Sequence, residues 1–333
     1  MSNLYSVSIA KWVAILKNVT ASYDVFAPIR KNDFLDYELI NDENIDLISY
    51  GIAKPSTPLK AFFFPIKENV VRKKENEKKR IILGVPSCDL NALNLLDKIF
   101  LENDFLDIYY KYNRENAIII ASDCMEIDDN CHCTSYGGNP FPEKNCDLAL
   151  VYLDDTVYLH PMSEKGEEFF REINTSDFAE CSQLPDEILR IREKNTAKLI
   201  SNNSELPDAE KTKKLILNSN DEIWKKYAQK CVSCGACAVI CPTCHCFLLI
   251  DKEKFEKIKN WDSCQYPAFE RVAAGEDPLK KIYQRLKNRY ECKFVHKPKM
   301  FDEIACTGCG RCIDACIGKI DKNEIIIELA KTN

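Results

Sequence analysis

Short runs of apolar residues alternate with segments of helical spacing over the first half of the chain. Four runs have the length and composition of buried strands, at residues 80–85, 117–121, 147–153 and 156–160. After the first of them, Asp89 is the predicted N-cap of a helix over 89–101, whose large apolar residues fall on one face. Alternating strands and helices predict an α/β sheet domain across residues 1–160.

The N-terminal segment from Met1 to Val19 has lysines within its apolar stretch, which predicts an amphipathic helix rather than a secretory signal. Apolar runs such as residues 61–66 are too short to cross a bilayer. The chain has 18 cysteines, and in a reducing cytosol these thiols stay free to bind metal. We therefore expect a cytoplasmic protein that works under anaerobic conditions and has no membrane partner.

Charge and glycine patterns narrow the possible functions. The net charge of the 333-residue chain is only -6, which gives no general attraction to nucleic acid. No glycine-rich phosphate-binding motif of the dinucleotide or P-loop type occurs. We therefore expect no nucleic-acid partner, and no flavin or nicotinamide bound by a standard fold on this chain.

Two cysteine runs of the form C-x2-C-x2-C-x3-C are the strongest chemical signal. This spacing, with proline after the first run, is the signature of proteins that hold two [4Fe-4S] clusters, and the last cysteine of each run ligates the other cluster. The predicted ligands of the first cluster are Cys231, Cys234, Cys237 and Cys316. The predicted ligands of the second cluster are Cys306, Cys309, Cys312 and Cys241. Zinc is the alternative, but zinc sites use separated cysteine pairs.

The segment between the two runs indicates the kind of cluster domain. Residues 267–290 have apolar positions at helical spacing, which favours an α-helical two-cluster ferredoxin domain over residues 221–333. Residues 161–220 are charged helical segments broken by Asn, Ser and Pro, and we interpret them as a helical linker region. The predicted fold class is thus α+β multidomain, an N-terminal α/β sheet domain followed by the α-helical cluster domain.

Four cysteines of the sheet domain follow predicted strands. Cys88 lies directly after the strand at 80–85, Cys124 follows the strand at 117–121, and Cys131 and Cys133 lie in the next loop. If the two strands are parallel neighbours, these thiols converge at the carboxyl edge of the sheet, where α/β folds bind ligands. We predict a third [4Fe-4S] cluster there. Zinc on the same four thiols and simple burial of small apolar side chains are the alternatives.

The remaining cysteines lack a recognisable ligand spacing. Cys244 and Cys246, with His245 between them, lie next to predicted ligand Cys241, and Cys264 follows in W-D-S-C. These side chains either hold a further metal centre or line a cluster pocket with hydrogen-bond donors, and we favour the second role. Three others are interpreted as ordinary thiols: Cys146, Cys181 and Cys292.

Several blocks in fixed order carry a family resemblance. They are GVPSCDLNAL, C-x6-C-H-C-T-S-Y-G, CVSCGACAVICPTCHCF, WDSCQYPAFERVAAG and CTGCGRCIDAC. In these the chain resembles the iron-sulfur electron-transfer component of anaerobic sulfite reductase and the related beta subunit of sulfhydrogenase. Ile317 stands after Cys316 where that family usually has proline, a position that shapes the turn and does not ligate.

The resemblance implies a relay subunit without catalytic residues of its own. Electrons would come from a flavoprotein subunit that oxidises NAD(P)H and pass to a catalytic subunit that reduces sulfite. The alternative is the equivalent relay in a sulfhydrogenase, a nickel-iron hydrogenase or a heterodisulfide reductase-like complex. A metal-based regulator and a self-contained enzyme are further alternatives, but no helix-turn-helix pattern supports the first of these.

Overall fold

The computed structural model describes residues 4–51, 54–71, 78–102, 106–173 and 176–332. Within these ranges the strands are β1 (Leu4–Ser8), β2 (Asp24–Lys31), β3 (Phe34–Leu39), β4 (Lys67–Asn69), β5 (Arg80–Val85), β6 (Ala117–Ser122), β7 (Leu148–Leu153), β8 (Thr156–Pro161), β9 (Ala179–Cys181), β10 (Phe247–Asp251) and β11 (Lys257–Trp261). Eight of them form a mixed sheet in the order β3-β2-β5-β6-β7-β8-β1-β9, and β10-β11-β4 form a second, small sheet.

The helices of the described ranges flank the large sheet and build most of the C-terminal region. They are α1 (Ile9–Val19), α2 (Lys60–Phe63), α3 (Ser87–Phe100), α4 (Ile108–Glu115), α5 (Glu164–Ile173), α6 (Asp186–Asn202), α7 (Ala209–Asn218), α8 (Asp221–Ala228), α9 (Ala236–Val239), α10 (Ile282–Glu291), α11 (Lys297–Phe301), α12 (Arg311–Asp314) and α13 (Lys322–Thr332). A π-helical turn, Cys292–His296, joins α10 to α11.

The predicted strands of the sheet domain are confirmed. β5 and β6 are parallel neighbours, with Ile81 opposite Ile118, and β7 continues the parallel arrangement beside β6. Such strands are buried on both faces and are therefore continuously apolar. Their carboxyl ends meet at one edge of the sheet, which is where the chain runs into Cys88 and Cys124.

Apolar side chains cover both faces of the sheet and fill a separate core in the C-terminal region. Trp12 of α1 packs in the core on one face, and Leu93 of α3 packs in the core on the other. The third core contains Trp224 of α8, Tyr290 of α10 and Ile326 of α13. Since Cys306 lies in this third core, the second cysteine run is anchored in packed apolar structure.

Two expectations for the sheet domain were wrong. Residues 4–8 form a strand, because their backbone pairs with β8 on one side and β9 on the other, and the helix begins only at Ile9. Asp89 is not an N-cap, since α3 begins at Ser87 after Pro86. Its carboxylate is buried and instead accepts hydrogen bonds from Arg311 and from the Leu59 backbone.

The prediction that the cluster domain is all-helical was also wrong. β10 and β11 form an antiparallel hairpin between the two cysteine runs, and β11 pairs with β4 of the N-terminal region. The buried Lys259 ammonium of β11 holds this pairing, at 3.1 Å from Glu68 and 2.8 Å from Asp107. Of the predicted helical stretch 267–290, only the part from Ile282 onward is α-helical.

Residues 161–220 pack into both cores. Phe169 and Phe170 of α5 belong to the core of the large sheet, whereas Leu215 and Ile216 of α7 belong to the C-terminal core. The segment therefore connects the two regions, because its side chains are buried in the core of each. The domain boundaries at 160 and 220 stay predictions.

No helix in the described ranges combines the length and apolar character needed to cross a membrane.

Candidate iron-sulfur centres

The two cysteine runs fold into similar loops. Each forms an open loop that ends in a single helical turn, α9 in the first run and α12 in the second. Cys237 lies within α9 and Cys312 within α12. The fourth cysteine of each run follows shortly after its helical turn. The equal spacing of the two runs therefore gives two loops of similar shape.

The first set, Cys231, Cys234, Cys237 and Cys316, lines one cavity. Cys316 reaches the first loop because the chain after it lies against Lys230. A Cβ atom at Gly318 would stand 2.1 Å from the Lys230 carbonyl oxygen, so only glycine allows this approach. Cys234 is exposed, which places the first set at the protein surface.

The second set, Cys306, Cys309, Cys312 and Cys241, lines another cavity. Three of its thiols are buried, and Cys312 is half-buried. The Lys293 ammonium is 3.1 Å from the Cys241 sulfur. The pKa of Cys241 lies well below its usual value because Cys244 hydrogen-bonds to its sulfur, and the positive charges of Lys293 and Arg289 act in the same direction against burial.

The third set, Cys88, Cys124, Cys131 and Cys133, lines a cavity at the carboxyl edge of the sheet. Asn195 of α6 holds the loop after β6 by donating to the carbonyl oxygens of Cys124 and Met125, at 2.9 and 3.0 Å. The Lys54 ammonium approaches the Cys131 sulfur to 3.7 Å. The structure thus brings together the four thiols that strand order and loop position predicted.

The second and third sets share a wall. Cys309 lines both cavities, and the His132 backbone donates to the Gly308 carbonyl oxygen at 2.8 Å. A Cβ atom at Gly308 would stand 2.3 Å from the His132 carbonyl oxygen, so the two ligand loops pack more closely than any other residue would permit. Cys312 likewise lines the cavities of the first and second sets. The three cavities therefore lie in series, with the second in the middle.

Unpaired polar atoms test whether these cavities suit an iron-sulfur cluster. The Arg289 Nε and Thr307 Oγ1 atoms are buried and have no hydrogen-bond partner among the residues that the structure describes. Arg289 lines the cavities of the first and second sets, and Thr307 lines the second. Buried donors of this kind are costly unless they are satisfied, and cluster sulfides accept hydrogen bonds. The residues present therefore fit the group that the cysteine spacing predicts.

Burial raises the pKa of several of these thiols, which favours their neutral form. It raises the pKa of Cys237 to about 11 and of Cys309 to about 12, and it raises the pKa of Cys88 well above the usual value. Only thiolate binds metal, and a coordinated metal ion itself removes the proton. Ligation and deprotonation are therefore expected to occur together at these positions.

Within the ranges that the structure describes, no group of three or more His, Cys, Asp or Glu side chains is arranged around a single metal ion. The thiols of each set stand around the wall of a cavity instead.

Sequence reasoning missed the cations around the thiols. Lys54, Lys293 and Arg289 are remote in sequence from the cysteines they approach, and their only signal is a basic residue within an apolar segment. Sequence reasoning also missed Arg311, although it is a basic residue that lies among the predicted ligands of the second run. Its side chain is buried and pairs with Asp89 next to Cys88.

Comparison with known proteins identifies one matching domain family. Residues 230–320 match the family model of the 4Fe-4S dicluster domain. A chain of the xenon-derivatised F420-reducing [NiFe] hydrogenase complex from Methanosarcina barkeri aligns at 10% identity with a TM-score of 0.38, over 62% of this chain and 91% of that one.

Sulfhydrogenase 2 subunit beta of Pyrococcus furiosus is 32% identical over 319 residues, which cover 92% of each chain. This finding confirms the resemblance inferred from the sequence blocks. The chain belongs to the family of the sulfhydrogenase beta subunits and is an iron-sulfur electron-transfer subunit.

Proposed function

We propose that this chain relays single electrons between a flavoprotein subunit that oxidises NAD(P)H and a separate catalytic subunit. One observation carries the proposal: three sets of four cysteines line cavities in series, with Cys312 and Cys309 as the shared walls. When bound, [4Fe-4S] clusters take up and release one electron each.

The protein side chains would hold and enclose the clusters of this series. The first set would bind one cluster at the surface, where Cys234 is exposed, and the second set would bind another in the buried centre. The third set would bind a third cluster at the sheet edge. Arg289 supplies a donor to the first two cavities, and Lys54 supplies positive charge to the third.

The nature of the catalytic partner is a second question. The relative from Pyrococcus furiosus is named as a subunit of a sulfhydrogenase, which favours a hydrogenase-type partner. A sulfite-reducing partner, implied by the sequence blocks, is the second candidate. We place the complex in the cytoplasm because the cysteine content requires a reducing compartment.

Anaerobic purification of the native complex through a tag on this chain tests the proposal. A flavoprotein and a catalytic subunit should come with it, and NAD(P)H should bleach the cluster absorption of the complex but not of the isolated chain. Nickel in the complex identifies a hydrogenase-type partner, and sirohaem identifies a sulfite-reducing one. Recovery of the cluster-loaded chain alone, with no partner, would contradict the relay.

A further inference from the structure

Three buried basic side chains lie on the wall of the second cavity. They are Arg289, Lys293 and Lys322, and each is 3% exposed. Among the residues that the structure describes, no carboxylate forms an ion pair with any of the three, and no Asp or Glu lines this cavity. A buried charge without a counter-ion is costly, so these side chains favour an anion within the cavity.

The Lys293 ammonium is held by neutral oxygens beside a cysteine sulfur. It donates to the Ala305 carbonyl oxygen at 2.8 Å and to Thr243 Oγ1 at 3.1 Å. The same nitrogen lies 3.1 Å from the Cys241 sulfur of the second set. The positive charge is therefore fixed in direct contact with a predicted ligand, and neither oxygen neutralises it.

The other two cations also have neutral partners. Arg289 donates from Nη2 to the Cys237 carbonyl oxygen at 2.9 Å. The Lys322 ammonium donates to the Tyr136 hydroxyl at 3.2 Å and lies 5.6 Å from the centroid of the Phe294 ring. An aromatic ring attracts a cation but does not neutralise it. Three positive charges thus surround the second cavity with no carboxylate to balance them.

The first cavity shares only part of this charge. Arg289 and Lys322 line it, whereas Lys293 does not. Cys234 of the first set is exposed, so water screens the charges at this site. The buried second site has a lower effective dielectric constant, which strengthens the same interactions.

The third cavity has a basic residue whose charge is balanced. Lys54 is the basic residue among the described residues that line it, and its ammonium lies 3.7 Å from the Cys131 sulfur. This ammonium forms ion pairs with Asp128 and with Asp314, the latter at 3.3 Å. Two carboxylates therefore offset the positive charge that Lys54 brings to the third set.

We infer that the second set holds the cluster of highest reduction potential, so that an electron within the series rests at its centre. The inference rests on the proposed relay and adds the energy order of its sites. Reduction adds one negative charge to a cluster, and nearby positive charge favours that state. Burial alone disfavours added negative charge, and the three cations outweigh it because their charges are uncompensated and close.

The way in which the cations are shared gives each residue its role. Arg289 and Lys322 act on the first two sites together, whereas Lys293 distinguishes the second site from the first. Lys293 is thus a tuning residue and not a ligand. An electron reaches the second site from a neighbouring site, which is oxidised as the second is reduced, and no bond forms or breaks.

An anaerobic redox titration of the full chain, reconstituted with iron and sulfide and followed by electron paramagnetic resonance, tests the order. The first species to appear on reduction should be absent from Cys241→Ala, which lacks a ligand of the second set. Lys293→Met removes the charge and keeps an unbranched side chain. At a fixed potential, it should lower the ratio of reduced to oxidised form of that species about tenfold, which is about 59 mV for one electron.

Matched lysine variants control for the loss of a charge. Lys226→Met should change nothing, since Lys226 is exposed on α8 and lines none of the three cavities. Lys54→Met should move only the species of the third set. If Lys293→Met folds poorly, Lys322→Met provides the second test, and it should lower the potential of the first-reduced species as well.

Two results would overturn the order of potentials. One is that the first-reduced species persists in Cys241→Ala, and the other is that Lys293→Met leaves its midpoint unchanged. The relay proposal fails on different grounds, because it requires partner subunits to be recovered with the chain. The titration of the chain alone does not depend on those partners.

Discussion

Arg311 and Asp89 form a buried two-point ion pair, with Nη1 to Oδ1 at 2.6 Å and Nη2 to Oδ2 at 2.9 Å. Arg311 lies inside the second cysteine run, and Asp89 follows Cys88 of the third set directly. The pair therefore fixes the ligand loop of one candidate cluster to the ligand helix of another. Rigid spacing between neighbouring clusters is what a relay requires of its protein.

Asp89→Asn should destabilise this junction. The substitution leaves the Arg311 guanidinium buried with no carboxylate, and breaking such a pair costs about 3–5 kcal/mol. We expect a clear fall in the urea midpoint, followed anaerobically by circular dichroism. Glu205→Gln is the control, because the Lys331–Glu205 pair is exposed on both sides and should matter little. Equal midpoints for the two variants would show that the buried pair does not tie the regions together.

Cys88→Ala tests the third set. If Cys88 is a ligand, the variant should lose about four irons and one paramagnetic species while the other clusters remain. Electron paramagnetic resonance of the dithionite-reduced protein, with iron and sulfide analysis, makes the measurement. Cys181→Ser serves as the control, since Cys181 lies on β9 and lines none of the three cavities. If Cys88→Ala retained the full iron content, Cys88 would be a small buried side chain and not a ligand.

Sequence reasoning grouped the thiols that line each of the three cavities because local rules determine that grouping, while cluster binding by these thiols stays a prediction. The cysteine spacing determines the loops of the two runs, and the parallel strand order places Cys88 and Cys124 at one edge of the sheet. The π-helical turn at Cys292–His296 escaped prediction because no periodicity indicates it. The β10–β11 hairpin was missed for a related reason. β10 is largely exposed and apolar, and β11 is held by Lys259, whose partner Glu68 is distant in the chain.

Paired substitutions test the crossed ligation of the first two clusters. Cys316 lines the first cavity and Cys241 the second, although each belongs to the opposite run. Cys316→Ala should therefore alter the spectrum of the surface cluster, which oxygen and chelators reach through exposed Cys234, and Cys241→Ala should alter the buried one. Chelation kinetics of iron in the two variants distinguish these effects. If Cys316→Ala instead removed the slowly chelated cluster, the crossed assignment would be wrong.

Arg289 should raise the reduction potentials of the first two clusters. Its unpaired Nε donor and its positive charge favour the more negative, reduced state of a cluster. Arg289→Leu should lower these potentials by about 40 mV, if the lost interaction contributes about 1 kcal/mol. Arg289→Lys, which keeps the charge, should recover part of the shift. Arg171→Leu on α5 is the control in an anaerobic redox titration, and an unchanged midpoint in Arg289→Leu would contradict the tuning role.

Two exposed apolar residues beside the first set indicate where a redox partner docks. Val232 is 63% exposed and lines the first cavity, and Ile317 is 68% exposed and follows ligand Cys316. Val232→Ser and Ile317→Ser remove apolar contact area without adding charge near the cluster. Loss of a buried apolar side chain at an interface costs about 1.5–3 kcal/mol, so binding of the electron-donating partner should weaken at least about tenfold.

Stopped-flow reduction separates this docking effect from damage to the cluster. Reduction by the flavoprotein should slow in both variants at subsaturating concentration, while reduction by dithionite stays unchanged because the small reductant needs no docking surface. Leu47→Ser is the control, since Leu47 is 60% exposed on the sheet domain and lines none of the three cavities. If the Leu47 variant slowed as much as the Ile317 variant, or if neither slowed, electrons would enter at another face.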